Sequence, residues 1–249
     1  ASDIVPKLRL SERISYPALV GALLFQCFFW ILLSDAWVSV LREFSRVDIS
    51  RRTSFRQQAL VSVGKYLPGK IWGMVARGSE LKKGGMGIAA IAEVTYLDQL
   101  FLLHAGLALT GVFALFVYET WQIRVLAFLA IVSVPALAHW HGQFFKCVDY
   151  LLRRHMNLNL SGTIRNITMF AYCRSIVRYS LVWLSSGIIF ALIHYAFVDQ
   201  AMSGFLLGAL ILANTIGIWA GFIAIFAPGG IGVREAAGIV VLQAFMPIE

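Results

Sequence analysis

The chain has 249 residues, 59% of them hydrophobic and only 14% charged, with a formal net charge of +8. A soluble domain carries about 25% charged residues, so this composition and a mean hydropathy of +0.76 exclude a soluble globular fold and call for lipid. The length accommodates about five or six spans of about 20 residues each, and the expected fold class is all-α, a polytopic membrane helical bundle.

The basic surplus sits at span ends, where it sets topology and meets anionic lipid. No groove-reading motif accompanies it, so nucleic acid is not an expected partner. Cys27, Cys147 and Cys173 are odd in number and scattered, which fits neither a disulfide framework nor a CxxC metal site. No metal and no cofactor is expected. The stretch Ala1–Tyr16 is polar and is not a signal peptide. The chain begins without Met and stops soon after a short apolar run, so a further helix before Ala1 and another after Glu249 are expected. Residues 1–249 read as a single integral membrane domain.

The first span runs from about Ala18 to Arg42 and holds Asp35 near its end. An acid there either serves function or pairs at the interface with Arg42 or a neighbouring helix. The connector Arg42 to Arg56 is rich in arginine. Gln57 to Arg77 is only moderately apolar and is cut by Lys65, Pro68, Gly69 and Lys70. A lipid-exposed break would strand backbone polar groups, so it must be buried in protein or line a wet cavity. The region near 53–78 is therefore expected to be a broken, re-entrant hairpin.

A long helix follows from about Gly87 to Tyr118, with Glu93 and His104 three turns apart on one face and Asp98 off that face. The next span, about Ile123 to Phe145, contains Pro135, His139 and His141. Two residues apart on a helix, these histidines point away from each other and read as interfacial groups, not a metal pair. A polar loop is expected over Lys146–Arg165, with Asp149 and Arg153 placed for an i,i+4 pair. A span from about Ile167 to Val198 begins with Arg174 and Arg178 on one face. A second broken segment is expected near 204–246. It has an apolar helix to Phe226 rich in small residues that allow close helix approach, then Ala227 to Glu235, then a final helix to Met246.

Lysine and arginine are asymmetrically placed. The Arg42–Arg56 connector, Arg77, Lys82, Lys83, Lys146, Arg153, Arg154 and Arg165 collect on one face, expected to be cytoplasmic. Lys7, Arg9, Arg13 and Arg124 collect on the other. This holds if 53–78 re-enters without crossing.

The two interruptions share a pattern, Pro68-Gly69-Lys70-Ile71 and Pro228-Gly229-Gly230-Ile231, each followed by an arginine, Arg77 or Arg234. Paired Pro/Gly-broken apolar segments point to an inverted repeat with a transport site. A helix restarting inside the membrane presents free N–H groups and a positive dipole end to an anion such as phosphate. Lys70, Arg77 and Arg234 would neutralise phosphate. Pro228, Gly229, Gly230 and Gly232 would let a headgroup reach the backbone, and Glu93 or Glu235 would hold the cations when the site is empty. Lys65, Trp72, Arg174 and Arg178 are secondary candidates. The alternative is a pair of ordinary surface loops capped by glycines. Gly64 to Lys70 also fits a nucleotide-binding G-x-x-x-x-G-K, but Ile71 supplies no hydroxyl for Mg²⁺. No Ser-His-Asp or Cys-His set stands out, so no catalytic residue is assigned.

Tyr66-Leu-Pro-Gly-Lys-Ile-Trp72 with Arg77, then Glu93, then Pro228-Gly-Gly-Ile-Gly-Val-Arg-Glu235 give the chain a family likeness. It resembles the transmembrane flippase domain family of the bacterial lysylphosphatidylglycerol synthases, from about Ala18 to the end. The resemblance implies a lipid flippase of the bacterial inner membrane. Its cargo would be an anionic or aminoacylated phospholipid or a polyprenyl-phosphate-linked lipid. Two-domain members of that family add a soluble aminoacyltransferase, for which this chain has no room, so lysyltransferase activity is not expected. Membrane lipids are the expected partners, with a homo-oligomer or an envelope-biosynthesis protein as further ones. Two other readings stand beside this one. The first is a membrane-embedded glycolipid or aminoacyl-lipid transferase, the second a non-catalytic envelope assembly protein.

Overall fold

A computed structural model describes residues 14–67, 71–156, 167–198, 201–224 and 227–245, with most side chains of 141–156 left undescribed. The described residues form eight α-helices and no sheet: α1 (Tyr16–Ser45), α2 (Arg51–Gly64), α3 (Trp72–Lys83), α4 (Ile88–Val117), α5 (Trp121–Met156), α6 (Met169–Phe197), α7 (Gly204–Ile223) and α8 (Val233–Gln243). A 3-10 turn, Pro228–Gly230, lies between the last two. The all-helical expectation holds. Five segments are long and apolar enough to cross a membrane: α1, α4, α5 from Trp121 to Trp140, α6 and α7.

The short helices follow from composition and length. At 1.5 Å per residue, α2, α3 and α8 reach only about 21, 18 and 16 Å, well short of an about 30 Å hydrocarbon core. Helix α2 starts at Ser50, whose hydroxyl accepts the Thr53 N–H at 3.1 Å, a side-chain cap for one orphan donor. Its buried residues, Ser54, Gln57, Gln58 and Gly64, are polar or small, so the helix buries hydrogen bonds in place of an apolar stripe. Helix α3 stops at Gly84 and Gly85, and the latter takes a φ of +91° that an L side chain resists. Where a broken, re-entrant hairpin is expected near 53–78, the described residues form two helices, Arg51–Gly64 and Trp72–Lys83.

One expectation is corrected. Lys146 to Met156 continues α5 as helix and is not a loop, because this polar stretch carries no glycine or proline to stop the helix. The remainder of that expected loop, 157–166, lies outside the described residues, as do the side chains of the expected Asp149–Arg153 pair. Asp35 pairs with Arg51 at 3.5 Å, while Arg42 pairs with Asp48 at 2.8 Å. Of the two expected partners for Asp35, it is the neighbouring helix that pairs with it, through Arg51 at the start of α2.

The chain divides into two compact units, and α1, α4, α5 and α6 each contribute to both. One unit holds α7 and α8 with α1 up to Trp30, α4 from Gly106, α5 up to Ile131 and α6 from Leu181. Its core gathers Ala114, Val117, Ala127, Ala209, Leu212, Ala213 and Val241. Tyr118 and Phe205 both stack on Phe245, with ring centroids 5.0 and 5.6 Å away. The other unit holds α2 and α3 with α1 from Ile31, α4 up to Ala105, α5 from Val132 and α6 up to Ser180. Its centre is Phe101, stacked against Phe44, Tyr172 and Tyr179.

Helices α2 and α3 approach backbone to backbone. A Cβ on Gly73 would lie 2.6 Å from the Leu60 carbonyl oxygen. Gly73→Leu is expected to force the hairpin apart and to cost about 1–3 kcal/mol, as overpacking does. The expected sign is a lower melting temperature in detergent; a variant that melts with the wild type would contradict the close approach.

Candidate functional site

In the unit that holds α2 and α3, the site is built around one cation. Arg77, on α3, has no solvent exposure. An uncompensated buried guanidinium is very costly, and three helices supply what holds this one. Its Nη1 donates to Asp98 Oδ2 of α4 at 2.9 Å. Its guanidinium carbon lies 3.8 Å from the ring centroid of Trp37 on α1, a desolvated cation–π contact. Asp98, itself buried, also accepts from the Tyr179 hydroxyl of α6 and from Gln99 Nε2 at 3.1 Å. Helix α2 fixes the Trp37 ring, since Trp37 Nε1 donates to Gln57 Oε1 at 2.8 Å. The Ser54 hydroxyl donates to the Ser34 carbonyl of α1 at 2.8 Å. Arg77 uses only one of its three nitrogens this way. Its Nε and Nη2 have no hydrogen-bond partner among the described residues.

The same unit contains a cavity of about 780 Å³ walled by Glu43, Arg46, Met86, Glu93, Thr168 and Ala171, among others. Glu93 is buried at its wall. Arg46 takes a φ of +57° just past the end of α1, an uncommon backbone for a non-glycine residue. Arg174 donates to Glu43, and Arg178 lies 3.7 Å from the other Glu43 oxygen. Along α4, His104 bonds to the Tyr172 hydroxyl and, at 2.7 Å, to the Ser133 hydroxyl.

In the other unit the site is a backbone feature. Helix α7 ends at Ile223, and α8 starts only at Val233. Between them Gly229, Gly230 and Gly232 take φ values of +64°, +76° and +82°, which glycine tolerates and other residues resist. Glu235 Oε2 accepts the Gly232 N–H at 2.7 Å and caps the new helix start. The aliphatic part of Arg234 packs on Gly221, while a Cβ at Gly217 would sit 2.7 Å from the Arg234 carbonyl oxygen. Arg234 and Glu235 line a cavity of about 300 Å³ with Asn214, Gly217 and Gly238. Among the described residues Arg234 makes no ion pair.

The sequence-derived candidates therefore fall into distinct settings. Arg77 and Glu93 belong to one unit, and Pro228, Gly229, Gly230, Gly232, Arg234 and Glu235 to the other. Lys70, with Pro68 and Gly69, lies outside the described residues. Lys65 sits over the Tyr66 ring, 5.3 Å from its centroid, and Trp72 is the exposed first residue of α3. Arg174 and Arg178 meet at Glu43. Two expectations change. The carboxylate on Arg77 is that of Asp98, not Glu93 or Glu235, and Arg77 is an interior residue, not part of a basic surface. Asp98, Trp37 and Tyr179 were not marked as site residues by sequence reasoning. The available signal was a pair of opposite charges, Arg77 beside the Pro-Gly stretch and Asp98 inside an apolar span, each too costly to bury alone.

Residues 3–249 match the family model described as the lysylphosphatidylglycerol synthase TM region. No curated protein and no solved structure matches the chain. With five apolar helices of spanning length, the match makes this a multi-pass membrane protein and ties it to membrane lipid.

Removing one member of the buried pair should be worse than removing both. Asp98→Ala alone is expected to destabilise by about 3–5 kcal/mol, whereas Arg77→Met with Asp98→Leu should be near neutral in stability. Thermal unfolding of both variants in detergent checks this. A double variant as unstable as Asp98→Ala would show that the pair contributes more than its own neutralisation.

Proposed function

Since the chain belongs to the lysylphosphatidylglycerol synthase transmembrane-region family, we propose that it is a lipid translocase of the bacterial inner membrane. It moves an anionic or aminoacylated phospholipid, or a polyprenyl-phosphate-linked lipid, from one leaflet to the other and makes no bond. The observation that carries this reading is Arg77. It is wholly buried, beside a helix break, in a hairpin too short to cross, and it keeps Nε and Nη2 without a hydrogen-bond partner among the described residues. A guanidinium offers paired N–H donors to phosphate oxygens. A structural counter-ion would need to satisfy only the one carboxylate.

Each unit then supplies a station for the phosphate. In one, Arg77 receives it, with Asp98 and Trp37 holding the guanidinium in place. In the other, Arg234 and the glycine-rich turn Pro228–Gly232 receive it near the N-terminal end of α8, where the helix dipole favours an anion. Glu235 orders that turn by capping Gly232. The short helices α2, α3 and α8 re-enter the membrane in this reading, and the lipid tails stay in the bilayer while the headgroup passes. Protein burial of the breaks satisfies the backbone groups that lipid could not.

The test is transbilayer movement of tail-labelled phosphatidylglycerol in liposomes. Arg77→Lys, which keeps the charge but loses the fork, and Arg234→Ala are each expected to slow movement about 10-fold or more. That matches the loss of one charge-assisted hydrogen bond of about 1.5 kcal/mol. Wild-type rates in both variants would sink the assignment of these arginines.

A further inference from the structure

In the lipid reading Asp98 only holds Arg77 in place. It is buried. Arg77 faces it from α3. Tyr179 faces it from α6, where Arg178 also acts electrostatically on Tyr179. Gln99 adds a neutral donor from its own helix. Trp37 of α1 covers the guanidinium and is itself tied to Gln57 of α2. Along α4 the next titratable groups are Tyr96 and the buried Glu93 on one side and His104 on the other; His104 bonds to Tyr172 of α6 and to Ser133.

The charge balance of this interior decides what binding must do. Empty, it holds one guanidinium and one carboxylate and is neutral. If a headgroup phosphate takes the Nε and Nη2 side of Arg77, the buried cluster gains a negative charge. A buried net charge is strongly disfavoured, and the usual escape is protonation. Asp98 is the carboxylate hydrogen-bonded to Arg77. Once protonated it still accepts from Tyr179 and Gln99, because a neutral carboxyl keeps acceptor capacity. The loaded cluster, with guanidinium, phosphate and neutral acid, is again neutral.

We infer that Asp98 is a proton-binding site coupled to the headgroup site at Arg77, so that the chain carries an anionic headgroup together with a proton. This rests on the lipid reading of Arg77. The proton comes from water and is bound to an Asp98 carboxylate oxygen while the anion is held; both leave together. Because linkage is reciprocal, proton binding tightens anion binding as well. Headgroup and proton together are neutral, so the pH gradient drives movement and the membrane potential does not.

The experiment uses liposomes with tail-labelled phosphatidylglycerol and an imposed gradient of one pH unit, read at steady state by a membrane-impermeant quencher. Coupled movement enriches the label in the leaflet facing the alkaline side by about tenfold, the ratio one unit supplies. Label that equilibrates quickly but evenly overturns the coupling and leaves the translocase reading intact. Label that does not move at all overturns both. Asp98→Asn, with folding checked by its elution profile, should bring the steady-state ratio to even; a variant that keeps the wild-type enrichment overturns the role of Asp98. A second measurement needs no variant. Short-chain phosphatidylglycerol added to weakly buffered wild-type protein in detergent should remove protons from solution, as read by a pH dye. Binding of the lipid without that uptake also overturns the inference.

Discussion

The buried guanidinium of Arg77 is the constraint on which the rest of its unit depends. Nothing in an apolar interior tolerates it alone, so each neighbour is explained by it. Asp98 supplies charge, Trp37 a π face, and Tyr179 and Gln99 hold Asp98. Gln57 holds Trp37, and Ser54 and Gln58 bond to α1 carbonyls, so α2 buries one serine and two glutamines on a face where most helices bury leucine. Helices α1, α2, α3, α4 and α6 are tied together through this one chain of contacts. The aromatic packing around Phe101 supplies apolar area close by. Polar contacts thus set the arrangement, and apolar packing fills it.

The unit containing α7 and α8 solves a related problem by other means. Its break is made by glycine backbone, with three positive φ angles in four residues and a glutamate that caps the helix restart. Small residues on α7 let the restarted helix lie close. One break is thus built around a side chain and the other around main chain. A short Pro-Gly likeness between the two stretches hides this difference.

Much of the fold was legible because lipid imposes long apolar runs, and α1, α4, α6 and α7 begin and end within a few residues of where hydropathy places them. The second break was legible for the same kind of reason, since Pro228 and three glycines leave the chain few conformations. Helix α5 was misjudged at its end because a polar stretch reads as loop, yet Lys146 to Met156 continues the helix. Within the site, Arg77 stood out, but its partner did not. Helical periodicity relates residues on one helix, and it picked Glu93 for the face it shares with His104. Which carboxylate meets Arg77 depends on how α3 packs against α4, and no single-helix pattern carries that. Trp37 escaped for a similar reason, since an aromatic near a span end reads as a membrane-belt residue.

The polar buried face of α2 also bears on how the protein is made. Ser54 and Gln57 bond to groups on α1, which is synthesised earlier, but Arg77 waits for Asp98 on α4 and Asp98 for Tyr179 on α6. With a sequence this weakly apolar, the α2–α3 hairpin has little reason to leave water by itself. During synthesis it would stay at the bilayer surface, Arg77 hydrated, until more than a hundred residues later α6 arrives to complete its seat (Tyr179 follows Arg77 by 102 positions). A hairpin from the first third of the chain would then be among the last segments to reach its final depth.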